Sequence, residues 1–210
     1  MLEYYTTDFE VSGKKDELTK LYELIKKWVS KTIDDYLNPE YLSNMIKESK
    51  VFTGAELKTI PYFGTCHFGY LDDIQLQKDG SLMIRISTPY NKSMLLMWVK
   101  IFDKCLTDYT MYYMSEDSGE DIYITNNPKY IDTYNFDVED YDSLEEKLGK
   151  GNVPETESYV SEKRIIEILQ YLLESESNDI DELITEFNLS YFIDDISINK
   201  FDFVPIEDIL

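Results

Sequence analysis

The sequence has very few of the side chains that usually perform acid–base or metal chemistry. Its 210 residues include one histidine, His67, and two cysteines, Cys66 and Cys105. Adjacent side chains on a strand point to opposite faces, so Cys66 and His67 cannot work together as nucleophile and base. His67 with Cys105 stays open as a pair, although such dyads need an exposed, activated thiolate. These three residues also fall short of the usual zinc ligand sets unless carboxylates contribute.

Basic residues are scarce as well. Lys and Arg number 20 against 42 Asp and Glu, which gives a formal net charge of −22. Lys and Arg neutralise phosphates when a protein binds nucleic acid. Here the basic groups reach only pairs, at Lys14-Lys15, Lys26-Lys27 and Lys163-Arg164. The charge therefore argues against direct nucleic-acid binding and favours solubility, cation binding or a basic protein partner.

Long apolar runs are missing, and none approaches the ~18 residues that a membrane span needs. The start of the chain, Met1-Leu2-Glu3-Tyr4, has neither the basic nor the apolar region of a signal peptide. Cys105 lies on an apolar helical stripe, where a thiol behaves as a small hydrophobe. We therefore expect a cytoplasmic protein with no membrane contact and a reduced, buried pair of cysteines.

Several motifs that carry chemistry are absent from the sequence. It has no Gly-rich phosphate loop, no G-x-S-x-G and no D-x-[DN]-x-[DN]-G calcium loop. Carboxylates are the one abundant reactive group, and they cluster at Asp72-Asp73, Glu116-Asp117-Glu120-Asp121 and Asp194-Asp195. Such clusters can hold Mg²⁺ or Ca²⁺ or serve as acid and base. Among 42 acids they fit solvated turns better, so we predict no catalytic, cofactor-binding or metal-binding residue.

The strongest secondary-structure signals lie in Leu71–Ser115, which we predict to be the centre of the fold. Alternating apolar residues flank the turn Lys78-Asp79-Gly80, where a residue without Cβ suits a tight hairpin. This period of two predicts two strands, built on Ile74, Leu76, Leu82, Ile84 and Ile86. Helical spacing then links Leu95, Trp98, Val99, Phe102, Cys105 and Leu106. Thr110–Met114 predicts the next strand.

The rest of the first half supplies further elements. Tyr5–Val11 alternates and predicts the first strand, and a helix follows with an apolar stripe of Leu18, Leu21, Tyr22, Ile25, Trp28 and Val29. Asn38-Pro39 indicates the start of a second, shorter helix. Residues 49–65 read as a loop with one short strand. Asp121–Thr125 predicts a strand, and residues 134–138 predict a short edge strand.

The second half begins with an acidic segment that is poor in apolar residues and contains Gly149, Gly151 and Pro154. We read residues 139–157 as a linker between a domain at 1–138 and an extension at 158–210. The extension should contain two helices, with stripes at Ile165, Ile168, Leu169 and Leu172 and at Ile180, Leu183, Ile184 and Phe187. Two short apolar runs, Tyr191–Ile198 and Phe201–Ile206, should add strands or wrap the core.

The predicted order reduces to β-α-β-β-α-β, the split βαβ plan. The fold class is therefore α+β, with a ferredoxin-like antiparallel sheet, two helices on one face and a C-terminal helical extension. That extension is the candidate to cover the other face by packing on the first domain.

Two segments resemble the YubB-like ferredoxin-like family of bacterial, phage and plasmid proteins. They are Ile84-Arg85-Ile86-Ser87-Thr88-Pro89, which leads into a Trp-containing helix, and Tyr112–Gly119, which precedes a strand. Members of the family tend to carry tryptophan beside the proline, whereas this chain has Tyr90 there and its nearest tryptophan is Trp98. The resemblance covers about residues 1–138 and implies a mobile-element protein without known catalytic residues.

Three functions compete on these grounds. The leading hypothesis is a non-enzymatic protein-interaction module, because the chain combines an ordinary fold with many acids and 18 tyrosines. Tyr offers apolar area with a polar tip, although scattered surface tyrosines explain the number better than one recognition surface. The second hypothesis is an acidic mimic of nucleic acid that inhibits a DNA- or RNA-binding protein. The third is a carboxylate- and metal-dependent enzyme.

Tyr112-Tyr113 on a strand resembles the pair of aromatic residues on which some RNA-binding domains stack bases. The neighbouring residues are acidic, so we expect both tyrosines to pack in the protein.

Overall fold

The computed structural model describes residues 4–29, 46–58, 70–89, 92–117 and 122–209. The protein is mixed α/β and divides into two compact units. The first unit contains Met1–Asn127 and Val204–Leu210, and the second contains Pro128–Phe203. Within the described ranges no helix is long and apolar enough to cross a membrane.

Strands and helices are numbered along the chain. The strands are β1 (Tyr4–Gly13), β2 (Tyr70–Leu76), β3 (Leu82–Pro89), β4 (Tyr109–Asp117), β5 (Ile122–Thr125), β6 (Thr133–Val138), β7 (Glu157–Ser161), β8 (Ile196–Lys200) and β9 (Asp202–Phe203). The helices are α1 (Lys15–Val29), α2 (Gly54–Leu57), α3 (Lys92–Cys105), α4 (Tyr141–Leu148), α5 (Glu162–Leu173), α6 (Ile180–Phe187) and α7 (Ile206–Ile209). A six-stranded sheet has the order β2-β3-β1-β4-β5-β9, and a three-stranded sheet has the order β7-β6-β8.

In the first unit the hairpin forms as the sequence predicts. β2 and β3 pair antiparallel up to Leu76 and Leu82, and the turn between them has Gly80 at φ +93°. The side chain of Asp79 accepts hydrogen bonds from the backbone N–H of Ser81 (2.9 Å) and from its hydroxyl (2.8 Å). The pairs β1–β3, β1–β4 and β4–β5 are also antiparallel. The predicted strands at Tyr5–Val11, Thr110–Met114 and Asp121–Thr125 correspond to β1, β4 and β5.

One apolar core joins the sheet and two helices of the first unit. Phe9 on β1 lies against Trp98 and Phe102 of α3, with ring centroids 6.0 Å and 5.6 Å away. The same core receives Leu18, Leu21 and Ile25 from α1 and Leu82, Ile84 and Ile86 from β3. The described side chains of these helical stripes therefore lie on the faces that their spacing predicts, while the predicted members Trp28 and Val29 have side chains outside the described set. The reverse face of β1 and β3 is polar, because Arg85 donates two hydrogen bonds of 2.7 Å to Asp8.

The second unit forms its own core around the three-stranded sheet. The side chains of Tyr134 and Phe136 on β6 are buried there. The predicted stripe of α5 is buried in full, and Leu183 and Phe187 of α6 join it. Asp179 caps α6, since its carboxylate accepts hydrogen bonds from the N–H groups of Asp181 and Glu182.

Two features of the second unit differ from prediction. Residues 134–138 belong to β6, which lies between β7 and β8 and is central, not an edge strand. Part of the predicted linker 139–157 is helix α4, whose N-cap Asp140 accepts a hydrogen bond from the backbone of Ser143 and whose Leu144 is buried. Leu144 and Leu148 pack in the core of the second unit, so a few apolar residues at helical spacing form a helix where the low apolar content had predicted a linker. The boundary between units also falls after Asn127, ahead of the predicted boundary at 138.

Residues 49–58 differ from the predicted loop and strand. They contain α2, where the hydroxyl of Thr53 accepts a hydrogen bond from the N–H of Glu56 (3.2 Å) and the Glu56 carboxylate accepts one from the N–H of Thr53 (2.7 Å). This reciprocal capping box explains a helical turn with little apolar content. The predicted start of the second helix at Asn38-Pro39 lies outside the described residues, although residues 46–49 are helical and Ile46 is buried.

Candidate functional site

The first carboxylate cluster, Asp72-Asp73, bonds groups in its own hairpin. The hydroxyl of Ser87 donates to Asp72 (2.6 Å), while burial raises the pKa of the Asp72 carboxyl. Asp73 accepts hydrogen bonds from the N–H of Ile74 (2.8 Å) and the side chain of Gln75 (2.6 Å). Both carboxylates therefore have local structural partners.

The other carboxylate clusters do not assemble into a metal site within the described chain. Glu116 and Asp117 end β4, and Glu120 and Asp121 lie outside the described residues. Asp194 is exposed, whereas the neighbouring Asp195 is buried and pairs with a lysine. In the parts of the chain that the structure describes, no group of three or more His, Cys, Asp or Glu residues could hold a metal ion.

The remaining candidates from the sequence are a cysteine and a tyrosine pair. Cys66 and His67 lie outside the described residues, and Cys105 is a half-buried free thiol whose pKa is raised by burial. A raised pKa keeps the thiol protonated, which is unlike a reactive nucleophile. Tyr113 is buried and its hydroxyl donates to the backbone carbonyl of Val204 (2.7 Å). It therefore packs in the first unit, while Tyr112 is half-buried.

A different feature stands out on the second unit, where large apolar side chains are exposed. Tyr171 on α5 is 51% exposed, and Leu189 and Tyr191, in the turn after α6, are 85% and 64% exposed. Isolated exposed apolar residues are normal, but several that line the same concave surface mark interaction sites.

Tyr171 and Tyr191 line one groove of about 480 Å³. Its walls are the end of α4 (Lys147 and Leu148), the end of α5 (Tyr171 to Glu174) and residues 190–192 of the turn. A second, shallower concavity runs along α6 and is lined by Asp179, Asp181, Glu182, Thr185, Glu186 and Leu189. The turn at residues 189–191 contributes to both concavities.

The turn that carries Leu189 and Tyr191 is held by Lys147. Its ammonium group bonds the buried carboxylate of Asp195 and also donates to the backbone carbonyl of Tyr191 (3.0 Å). The same ammonium lies 5.6 Å from the centroid of the Tyr191 ring, a distance at which a cation attracts an aromatic face. The Tyr191 ring in turn lies 4.2 Å from that of buried Phe192. The exposed ring is therefore fixed on its inner side.

Tyr171, which also lines the groove, is held by the loop after α4. Its hydroxyl donates to the backbone carbonyl of Asn152 (3.0 Å), and the side chain of Asn152 donates to the carbonyl of Leu148 (2.9 Å). The loop after α4 therefore anchors the tip of this side chain and leaves the ring exposed. Both tyrosines present apolar area with little remaining freedom.

The charge around these residues is mostly negative. Between Arg164 and Lys200 the chain contains no Lys, Arg or His, while it contains Glu167, Glu174, Glu176, Asp179, Asp181, Glu182, Glu186, Asp194 and Asp195. Among the described residues only Glu167 and Asp195 of this set form ion pairs. We use the name Tyr191 surface for Tyr171, Leu189 and Tyr191 together with Glu174, Asp181, Glu182 and Glu186.

Sequence reasoning missed this surface because it assigned Tyr191–Ile198 to strands or to wrapping of the core. In the structure β8 begins at Ile196, and the preceding residues form the turn. The available signal was the long stretch without a basic residue, which contains Tyr171, Leu189 and Tyr191.

Comparisons with models of protein families, with curated proteins and with solved structures found no match for this chain. The resemblance to the YubB-like family remains a prediction.

Proposed function

We propose that the protein is a non-enzymatic protein-interaction module and that its Tyr191 surface binds a partner protein. The observation that carries the proposal is the exposure of Tyr171, Leu189 and Tyr191 around two neighbouring concavities. Tyrosine is enriched at the centres of protein interfaces, because it contributes a large contact area and a polar tip. Exposed apolar side chains in fixed positions reduce the entropy lost on binding.

A carboxylate-dependent enzyme has less support from the same structure. Asp72 and Asp73 bond neighbouring groups of the hairpin, and Asp195 is occupied by Lys147. A catalytic acid or metal ligand has to keep an oxygen directed at substrate or metal. The interaction function instead uses the exposed apolar area of Tyr171, Leu189 and Tyr191.

The detailed fold of the first unit is a second part of what we propose. We infer a ferredoxin-like split βαβ plan for the first unit, supported by the strand order β2-β3-β1-β4, by the antiparallel pairs and by two helices that share one core. We also propose that the protein belongs to the YubB-like family and is encoded by a mobile element. We propose a cytoplasmic location for it.

Affinity capture with the tagged full-length protein tests the proposed function. We would compare the wild type with the triple variant Tyr171→Ser, Leu189→Ser and Tyr191→Ser by quantitative mass spectrometry of the captured proteins. The matched control is Tyr141→Ser, since Tyr141 is 50% exposed in the same unit but lines neither concavity.

A partner that is retained by the wild type and by Tyr141→Ser but lost by the triple variant is the expected result. Capture that is equal for all three proteins would contradict the assignment of the interface to the Tyr191 surface. Turnover of a small substrate that depends on a named side chain would contradict the non-enzymatic function itself.

An acidic mimic of nucleic acid is the second candidate function. It is favoured by one specific observation, the row of carboxylates without ion pairs on and around α6. A mimic uses charge more than apolar contact, so its partner would be released by moderate salt and displaced by double-stranded DNA or RNA. A partner that resists salt and depends on Tyr191 supports the interaction module instead.

A further inference from the structure

The charge and shape of the Tyr191 surface indicate the chemistry of its partner. We propose that this surface binds a basic segment of a partner protein in which Lys or Arg residues flank a large apolar side chain. The inference rests on the proposed interaction function and specifies what is bound and where.

The apolar side chain of the partner enters the groove between Tyr171 and Tyr191. The groove volume of about 480 Å³ lies within the roughly 300–1,000 Å³ that ligand pockets have in proteins. The rings of Tyr171 and Tyr191 supply its exposed apolar area, because Leu172 and Phe192 behind them are buried. Burying a large apolar side chain there also covers the exposed faces of both tyrosines.

The basic residues of the partner contact the carboxylates beside the groove. Asp181, Glu182 and Glu186 line the concavity along α6 that continues from Leu189, and Glu174 lies at the rim of the groove itself. These four carboxylates form no ion pair with any residue that the structure describes, so no described cation offsets their charge by direct contact.

Lys147 is the one cation among the described residues that line the groove, and it does not reverse this preference. Lys147 is neutralised by Asp195, which lies behind the turn with its side chain only 6% exposed. An acidic segment would therefore meet four carboxylates and no free counter-charge. Complementary charge steers association and excludes partners of like charge, so the surface selects a basic segment.

A linear segment is favoured over a flat protein surface by the arrangement of the two concavities. Leu189 lines the concavity along α6, and Ser190 and Tyr191 line the groove, so consecutive residues of one turn belong to both. A short chain that crosses this turn can place its apolar side chain in the groove and its basic side chains along α6. The ion pair of Lys147 holds the turn before binding, which limits the ordering cost.

Selection from a phage-displayed library of random 12-residue peptides tests the proposal with the full-length protein as target. We expect enriched peptides to contain Lys or Arg close to Leu, Ile, Phe, Tyr or Trp. Synthetic copies would then be measured by isothermal titration calorimetry. Tyr191→Ser and Tyr171→Ser should each weaken binding about tenfold or more, as loss of a central aromatic contact does.

A second variant tests whether the carboxylates along α6 contact the basic residues of the partner. Glu182→Lys combined with Glu186→Lys should weaken binding several-fold at low salt, and should remove most of the salt dependence that the wild type shows. Glu146→Lys combined with Glu155→Lys is the matched charge control, because Glu146 and Glu155 are exposed in the same unit and line neither concavity. Tyr141→Ser is the matched aromatic control. Both controls should bind as the wild type does.

Folding of each variant is checked by hydrogen exchange of the α5 amides. Tyr171 lies on α5 and Tyr191 in the turn after α6, so if one of the two variants fails to fold, the other still tests the proposal. Failure to enrich peptides, enrichment of peptides without basic residues, or binding unaffected by the Tyr171 and Tyr191 variants would overturn the proposal. If protein capture still depends on the Tyr191 surface, the interaction function survives and only the basic segment is wrong. If capture is equal for the triple variant and the wild type, the assignment of the interface to this surface fails as well.

Discussion

Lys147 and Asp195 form an ion pair that joins the end of α4 to the turn carrying Tyr191. The side chain of Asp195 is 6% exposed and that of Lys147 is 29% exposed. The backbone carbonyl of Asp195 also accepts hydrogen bonds from the N–H groups of Glu139 (2.8 Å) and Asp140 (3.3 Å) at the start of the same helix. Asp195 therefore fixes the turn to both ends of α4.

Asp195→Asn should destabilise the second unit. Asparagine keeps the size of the side chain but removes the charge that Lys147 needs, and hydrogen bonds to charged groups contribute about 1.5–3 kcal/mol. We expect a loss of that size in the free energy of unfolding, measured by native-state hydrogen exchange of the α5 amides. Asp194→Asn is the matched control, because Asp194 is exposed beside it and should change stability by less than about 0.5 kcal/mol. Equal losses for the two variants would contradict the structural role of Asp195.

The same ion pair should make stability depend on pH. The hydrogen bond from Lys147 lowers the pKa of the Asp195 carboxyl in the folded protein. A carboxyl whose pKa is lower in the folded than in the unfolded state stabilises the fold above its unfolded pKa, near 3.9, and this stabilisation is lost as the pH falls through the folded value. Calorimetric unfolding should therefore show the full difference between wild type and Asp195→Asn at pH 7 and a shrinking one below about pH 4. A difference that is constant down to pH 3 would contradict this explanation.

Tyr113→Phe should weaken the attachment of the C-terminal segment within the first unit. The hydroxyl of Tyr113 donates to the backbone carbonyl of Val204 (2.7 Å), and burial raises the pKa of the phenol. Loss of this hydrogen bond should cost about 0.5–1.5 kcal/mol. Urea unfolding followed by tryptophan fluorescence reports it, because Trp28 and Trp98 both belong to the first unit.

Tyr109→Phe is the control for that measurement. The hydroxyl of Tyr109 donates to the exposed carboxylate of Asp103 (2.6 Å), which water can solvate after the change. We expect a smaller loss of stability than for Tyr113→Phe, together with unchanged hydrogen exchange at α7. If Tyr109→Phe lowers the free energy of unfolding more than Tyr113→Phe does, the buried hydrogen bond to Val204 does not make the larger contribution to stability.

Elements that are fixed by local interactions could be predicted from the sequence. The hairpin at Lys78-Asp79-Gly80 forms because its turn residues satisfy one another within a few positions. The stripe of α5 could be predicted in the same way, since helical spacing acts over one or two turns. Alternation likewise located β1, β3 and β4.

Features that depend on distant pairing could not be predicted in the same way. Alternation in residues 134–138 indicates a strand but does not tell how many strands pair with it. In the structure Tyr134 pairs with Val160 on one side and Lys200 on the other, so Asn135 between the apolar residues is buried too. The division into two units after Asn127 follows from such pairings.

The Tyr191 surface could not be predicted from the sequence either, because it also depends on tertiary structure. The sequence displays the carboxylates and the absence of bases between Arg164 and Lys200, but the exposure of Tyr171 and Tyr191 depends on which side chains the helices bury. Asp194 and Asp195 are adjacent and chemically identical, yet one is exposed and the other pairs with Lys147 across 48 positions. Only tertiary structure separates them.

Glu174→Gly should stabilise the second unit slightly. Glu174 ends α5 with φ +51°, and the N–H of Ser175 donates to the carbonyl of Gln170 (3.1 Å) across this left-handed residue. A non-glycine residue costs about 1–2 kcal/mol in that conformation, and the extra freedom of glycine in the unfolded chain offsets roughly 0.5–1 kcal/mol. A net gain of about 0.5 kcal/mol is expected by hydrogen exchange at α5. A loss of stability would mean that the Glu174 side chain contributes more than its backbone costs.

Alanine substitutions at two glycines of the first unit test whether the backbone conformation at Gly80 requires glycine. An added Cβ would meet no atom within 4 Å at either Gly80 or Gly54, but Gly80 has φ +93° and Gly54 begins the short helix α2. Gly80→Ala should therefore cost about 1 kcal/mol through the backbone alone, whereas Gly54→Ala should be neutral or stabilising by up to about 0.5 kcal/mol because alanine favours the helix. Urea unfolding followed by tryptophan fluorescence measures both variants. Equal effects would show that the turn conformation at Gly80 does not require glycine, which would weaken the explanation of the hairpin on which the first sheet is built.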